Sequence, residues 1–136
     1  VLWKWEEDVL PGQPKNVKLS KWFPQQDILA HPNVKLFITH GGFLSTTETV
    51  YHGVPILAIP ILGDQKLNAK SAMSKGFGLV LPYSELTEDK LTQSIQEILN
   101  NPKYDVFLCR LELIVIYLVD IKIRRNRFRK PSTKDR

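Results

Sequence analysis

Short apolar runs alternate with amphipathic stretches through the first hundred residues. Val1 to Trp5 alternates and is rich in aromatic and β-branched residues, which predicts a short strand. Glu6-Glu7-Asp8, Leu10-Pro11-Gly12 and Pro14 then form a polar, turn-rich connection, and Val17-Lys18-Leu19 predicts a second strand. Pro24 suits the first turn of a short helix through Leu29, which His31-Pro32 ends. Val34 to Ile38, with only Lys35 polar, has the continuous apolar character of a buried strand. A helical pattern follows from Phe43 to His52, stopped by Gly53 with Pro55 beyond. Ile56 to Ile59 is another apolar strand, closed by Pro60. A helix from Asp64 to Lys75 is broken by Gly76 and Gly78 before the strand Leu79-Val80-Leu81. Thr87 caps a last helix to Leu99, with Leu91, Ile95, Ile98 and Leu99 on one face, and Asn100-Asn101-Pro102 ends it.

Continuous apolar strands alternating with helices predict a parallel sheet with helices on both faces, a Rossmann-like α/β fold for residues 1–105. A length of 136 residues suits one domain with a real core. The first residue is Val1, not Met, and no signal peptide opens the chain, so it is expected to begin inside a longer protein.

The net charge of +5 invites a nucleic-acid reading until it is divided along the chain. Residues 1–105 carry 10 Lys/Arg against 11 Asp/Glu, whereas residues 106–136 carry 9 against 3. The domain is neutral and the basicity belongs to the tail. There, Val106 to Ile123 is apolar but holds Arg110, Glu112, Asp120 and Lys122. Its longest uncharged run, Leu113 to Val119, is far short of the roughly 20 residues of a membrane helix. The cluster Arg124 to Lys130 has the composition of a stop-transfer flank or a nucleic-acid patch, and the expectation for 106–136 is an exposed, largely disordered end. The single cysteine, Cys109, excludes an internal disulfide framework, and His31, His40 and His52 lack metal-ligand spacing.

The candidate chemistry lies between Trp22 and Gln65. A strand that stops at Thr39-His40 and feeds a helix through Gly41-Gly42 puts free N–H groups at a helix N-terminus, where the dipole favours an anion. Glycines there let phosphates approach without meeting a Cβ. The stretch is neither a GxGxxG fingerprint nor a Walker loop, so the pattern by itself predicts a phosphate-binding strand-loop-helix. Each polar residue around it has two readings. Trp22 either stacks on a flat base or fills the core, and Gln25 either bonds base or ribose edges or is solvated. His40 either donates to a diphosphate oxygen or bonds within its turn. Ser45 and Glu48 spell an S-x-x-E capping box. Asp64 suits a helix N-cap, and beside Gln65 it also suits a pattern of sugar hydroxyls.

Trp22-Phe23-Pro24-Gln25, His40-Gly41-Gly42, Ser45, Glu48 and Gly63-Asp64-Gln65 resemble, in order and spacing, the donor-binding signature of the UDP-glycosyltransferases. Residues 1 to about 104 are similar in style to the animal UDP-glucuronosyltransferase and glucosyltransferase branch. The resemblance implies uracil stacking by Trp22, phosphate contacts from His40, Gly41, Gly42 and Ser45, and a ribose contact from Glu48. It gives Asp64 and Gln65 the hydroxyls of the transferred sugar. Leu44 stands where many relatives carry Asn, which removes one polar contact to phosphate. The implied architecture is the C-terminal half of a two-Rossmann, GT-B type enzyme. It moves glucose or glucuronate from a UDP-sugar to a hydroxyl of a small lipophilic acceptor, with inversion. The UDP-sugar is a substrate, and no cofactor or metal is implied. The histidine base and acceptor pocket of the family lie in an N-terminal half outside these residues, so this chain alone is expected to bind donor without turnover. The family's setting is the endoplasmic reticulum membrane, and the likeness stops near Asp105. The rivals are a non-catalytic UDP-sugar-binding module or truncated regulator associating with full-length relatives, and a basic-tailed nucleic-acid binder.

Overall fold

The computed structural model describes residues 1–105, and the expectations placed on 106–136 lie outside the described residues. In chain order the elements are β1 (Leu2–Lys4), β2 (Lys18–Ser20), α1 (Gln25–Leu29), β3 (Phe37–Thr39), α2 (Phe43–His52), β4 (Ile56–Ala58), α3 (Gln65–Ser74), β5 (Gly78–Val80) and α4 (Glu88–Asn100). Single 3-10 turns at Tyr83–Glu85 and Pro102–Tyr104 flank α4. All strand pairing is parallel, as the apolar runs predict. The expected single sheet is divided, however. β1 pairs with β2, and β3-β4-β5 form a separate sheet, with no ladder joining the two among the described residues.

The third strand begins later than its apolar run. Hydropathy marks where a segment is buried, whereas pairing starts where a partner carbonyl is available. The Val34 N–H is used by a turn to the His31 carbonyl, and the Phe37 N–H is the one that meets the Pro55 carbonyl (each 3.0 Å). Pairing then runs past Ile38 because the Ile59 N–H donates to the Thr39 carbonyl at 2.8 Å. At β5 the register places Gly78 opposite Ile56, and a Cβ on Gly78 would sit 2.7 Å from the Ile56 carbonyl oxygen. Gly78 is therefore a strand position where only hydrogen fits, and not the helix breaker its neighbour Gly76 suggested.

Alternation along β4 sorts the core into two layers. Ile56 and Ala58 pack with Val50 of α2, Ala69 and Ala72 of α3, and Phe77. Leu57 points the other way, to Ile98 of α4, Leu81 and Tyr104, with Leu36, Ile59, Leu79, Leu91 and Ile95 around them. The three-stranded sheet is thus covered on both faces, as parallel sheets are. Each fully buried Ile or Leu there contributes about 1.5–3 kcal/mol. Thr87 caps α4 as expected, its hydroxyl accepting from the Lys90 N–H at 3.3 Å. Leu99 is half exposed (52%), because it falls a further step round the helix from the Leu91–Ile95–Ile98 stripe.

Candidate functional site

The site grows from the C-terminal ends of β3 and β4. After Thr39 the chain turns at Gly41 in the left-handed region (φ 83°), with the Gly41 N–H donating to Thr39 Oγ1 at 3.3 Å. A Cβ at Gly41 would lie 3.2 Å from the Gln65 carbonyl oxygen and against Ala69 and Ala58, so the turn is seated directly on the start of α3. Gly42 is the N-cap of α2 in extended conformation, and no side chain caps the helix. The Thr46 N–H makes the bond back to the Gly42 carbonyl (3.0 Å), so the N–H groups of Leu44 and Ser45 precede that rung. The first turn of the helix reaches the surface, with Leu44 74% exposed. The His40 ring folds across Gly42, where an added Cβ would come within 2.8 Å of its Nε2.

The capping-box reading of Ser45 and Glu48 is corrected by the structure. Because Gly42 is the N-cap, Ser45 is already the third residue of α2, and its side chain points to α1 instead of to its own backbone. Gln25 Nε2 donates to Ser45 Oγ at 3.2 Å and to Glu48 Oε2 at 2.6 Å. Gln26 Nε2 donates to the other carboxylate oxygen, Glu48 Oε1, at 3.0 Å. Three of the predicted residues, Gln25, Ser45 and Glu48, therefore form one half-buried cluster across the α1–α2 contact. Both protons of the Gln25 amide are engaged, which leaves its oxygen as an acceptor. Glu48 keeps further lone pairs on both oxygens.

Trp22, three residues before Gln25, is not a core residue. It is 71% exposed, in a turn where Ser20 Oγ donates to the Trp22 carbonyl at 2.7 Å. Asp64 precedes α3 at its N-cap position with helical dihedrals, and its carboxylate makes no cap hydrogen bond. Gln65 is only partly available: Oε1 accepts from the Ile61 and Leu62 N–H groups at 2.9 and 3.0 Å. What remains for a ligand is its amide NH2, a donor.

Two residues were missed by sequence reasoning. Gln26 looks like any solvated glutamine, and nothing in the pattern marks it. Asn68 did carry a signal, being a polar side chain on the buried face of α3 with Ala69 and Ala72. Its Nδ2 donates to the Gly41 carbonyl at 3.1 Å. A groove of about 350 Å³ also runs between α1 and α2, lined by Gln26, Asp27, Ala30, Thr47, Glu48, Tyr51 and His52. Among the described residues no group of three or more His, Cys, Asp or Glu is placed to hold a metal, and no helix is long and apolar enough to cross a membrane.

Residues 1–115 match the family described as UDP-glucoronosyl and UDP-glucosyl transferase. The chain belongs to this family. Among its relatives in the UDP-glycosyltransferase group, UDP-glycosyltransferase UGT5 of Dactylopius coccus is 55% identical over 104 residues, covering 76% of this chain and 20% of the relative. The 2-hydroxyacylsphingosine 1-beta-galactosyltransferase of Homo sapiens is 34% identical over 93% of this chain and 25% of its own length. The chain thus spans about a fifth to a quarter of the curated relatives it matches. Among solved structures, the glycotransferase of kitacinnamycin superposes with a TM-score of 0.70 at 27% identity, over 82% of this chain and 29% of that one. Glycosyltransferase VinC in complex with DTDP gives 0.68 at 25% identity, over 78% and 26%. These neighbours are GT-B glycosyltransferases, and the Rossmann-like α/β fold expected from the alternating pattern holds.

Proposed function

We propose that residues 1–105 are the donor-binding half of a UDP-glycosyltransferase that transfers a hexose from a UDP-sugar to a hydroxyl of a small lipophilic acceptor. The observation that carries this is the Gln25–Ser45–Glu48 cluster beside an uncapped helix N-terminus. It presents an amide oxygen and a carboxylate at one end of the site and backbone donors at the other. Trp22 stacks on the uracil, Gln25 Oε1 accepts from a base or ribose donor, and Glu48 accepts from the ribose hydroxyls. His40, the N–H groups following Gly42, and Ser45 receive the diphosphate. Asp64 accepts from sugar hydroxyls while the Gln65 amide donates to them. A neutral hexose suits this set better than glucuronate, because residues 1–105 contain no arginine and Lys66 is the one cation adjoining Asp64 and Gln65.

Transfer also needs a base within reach of the acceptor hydroxyl. Among the described residues each histidine is already in a local contact. His31 Nδ1 accepts from the Asn33 N–H at 3.1 Å, His40 lies over Gly42, and His52 packs edge-on against Tyr51 at 5.0 Å. We infer that the base comes from outside these residues, and that the 136-residue chain binds donor without acceptor-dependent release of UDP. Titrating the purified chain with UDP and ADP tests the binding reading, with tighter UDP binding expected. Equal affinities would overturn it. Acceptor-dependent UDP release by the chain alone, abolished by Asp64→Ala, would overturn the inference about the base.

A further inference from the structure

We propose that Asn68 is a positioning residue that couples the diphosphate end of the donor site to its sugar end, an inference that rests on the donor-site reading above. Asn68 is 6% exposed and shares the buried face of α3 with Ala69 (0%) and Ala72 (1%). Its backbone N–H donates to the Asp64 carbonyl at 3.0 Å, so it stands one turn beyond the residue assigned to the sugar. Its side chain reaches the opposite way, Nδ2 donating at 3.1 Å to the carbonyl of Gly41, 27 residues earlier. One amide therefore joins the helix that carries Asp64 and Gln65 to the loop that carries His40, Gly41 and Gly42.

The peptide plane explains why that bond matters to the ligand. In a trans peptide the carbonyl of one residue and the N–H of the next point in opposite directions. Holding the Gly41 carbonyl toward α3 thus turns the Gly42 N–H away from α3, on the side of the free helix end. Gly41 has the left-handed φ of 83° and its N–H is held by Thr39 Oγ1, so the Asn68 amide on its carbonyl is what fixes the following Gly41–Gly42 peptide. The turn also lies close to the start of α3, where a Cβ added at Gly41 would come within 3.2 Å of the Gln65 carbonyl oxygen, so the coupling is short.

The test uses the full 136-residue chain, titrated with uridine, UDP and UDP-glucose, as wild type and as Asn68→Asp and Asn68→Ala. Asn68→Ala removes the donor without adding charge and is the deciding variant. Asn68→Asp keeps the shape but also adds a carboxylate that repels phosphate, so its UDP loss should be the larger of the two. Expected for Asn68→Ala is an unchanged affinity for uridine and a loss of about three- to tenfold for UDP and UDP-glucose, the range for one net hydrogen bond. A purely structural role would lower the melting temperature and reduce all three ligands together, leaving the UDP-to-uridine ratio as in wild type. That unchanged ratio overturns the proposal. Should both variants fail to fold, the wild-type chain decides by NMR: UDP, but not uridine, should shift the Asn68 side-chain amide signals, and no shift overturns the coupling. A wild type that does not prefer UDP to ADP removes the donor reading itself, and the proposal with it. Wild-type preference with an unchanged ratio in the variants removes the coupling alone.

Discussion

Replacing Gly41 by alanine should cost more than its backbone conformation alone predicts, and Gly76 supplies the control. Both glycines sit in the left-handed region, at φ 83° and 79°. An L-residue there costs about 1–2 kcal/mol, whichever glycine is replaced. Their surroundings differ. A Cβ at Gly76 meets nothing within 4 Å, while a Cβ at Gly41 meets the Gln65 carbonyl oxygen at 3.2 Å, Ala69 Cβ at 3.7 Å and Ala58 Cβ at 3.8 Å. Ala58 and Ala69 are both 0% exposed, so these neighbours have no open side into which to retreat. Overpacking of this kind adds about 1–3 kcal/mol. At about 4–8 °C per kcal/mol for a domain near this size, Gly41→Ala should melt at least 4 °C below Gly76→Ala. Thermal unfolding followed by circular dichroism measures the difference. UDP titration should show Gly41→Ala weakened and Gly76→Ala unchanged, since only the first displaces the turn under the helix end. Equal melting temperatures would mean that the turn is not seated on α3 as described, and would refute the contact argument.

Trp22→Ala should leave the melting temperature nearly unchanged, because the side chain is 71% exposed, and should weaken UDP binding by about 1–3 kcal/mol. An unchanged UDP affinity would remove the stacking role. Glu48→Gln replaces charge-assisted bonds from Gln25 and Gln26 with neutral ones, so the expected stability loss is about 1 kcal/mol, accompanied by weaker UDP binding. A large drop in melting temperature with unchanged affinity would make Glu48 a structural residue only. UDP-glucose should bind at least as tightly as UDP-glucuronate, and a clear preference for glucuronate would show that Lys66 or a residue outside 1–105 pairs its carboxylate. At the end of α4, hydrogen bonds from Lys103 and Asn101 hold the Glu97 carboxyl below its ordinary 4.5. Its small stabilisation is therefore present above that value and lost as pH falls through its lower folded value, and Glu97→Gln should flatten the acid side of the melting profile there.

The sequence carried the elements better than their edges. Phe43 to His52 was legible to the residue, because paired glycines open the helix and Gly53 closes it. The strand before it was misplaced by three residues, since hydropathy cannot show that Val34 spends its N–H on a turn. The division into two sheets was also illegible, because a parallel neighbour is chosen by geometry far along the chain. Within the site, the glycine turn could be foreseen, whereas the Gln25–Glu48 bond joins positions 23 residues apart and leaves no periodic trace. The roles of Trp22, Asp64 and Gln65 toward a sugar nucleotide rest on resemblance, and the bonds from Ile61 and Leu62 to Gln65 show what resemblance does not predict.

Ser45 and Glu48 illustrate why one short motif admits two structures. S-x-x-E caps a helix only if the chain is extended at the serine, so that its hydroxyl can reach forward to the third helical N–H. Here the chain is extended three residues earlier, at Gly42, and Ser45 is already inside the helix. From that position a serine hydroxyl cannot cap, and the glutamate one turn later has no orphan N–H to turn back to. Both side chains are released toward α1, where Gln25 and Gln26 meet them, and no capping-box bond is made to the first-turn N–H groups. The placement of two glycines thus decides at once that the helix end is open to an anion and that the carboxylate beside it is held by neutral amide donors. A lysine or arginine at Gln25 would neutralise that carboxylate, and a serine at Gly42 would first have to displace the His40 ring, 2.8 Å from its Cβ. The pair of small choices, glycine as the cap and glutamine as the partner, is what sets a half-buried carboxylate within about one turn of a helix N-terminus that no side chain caps.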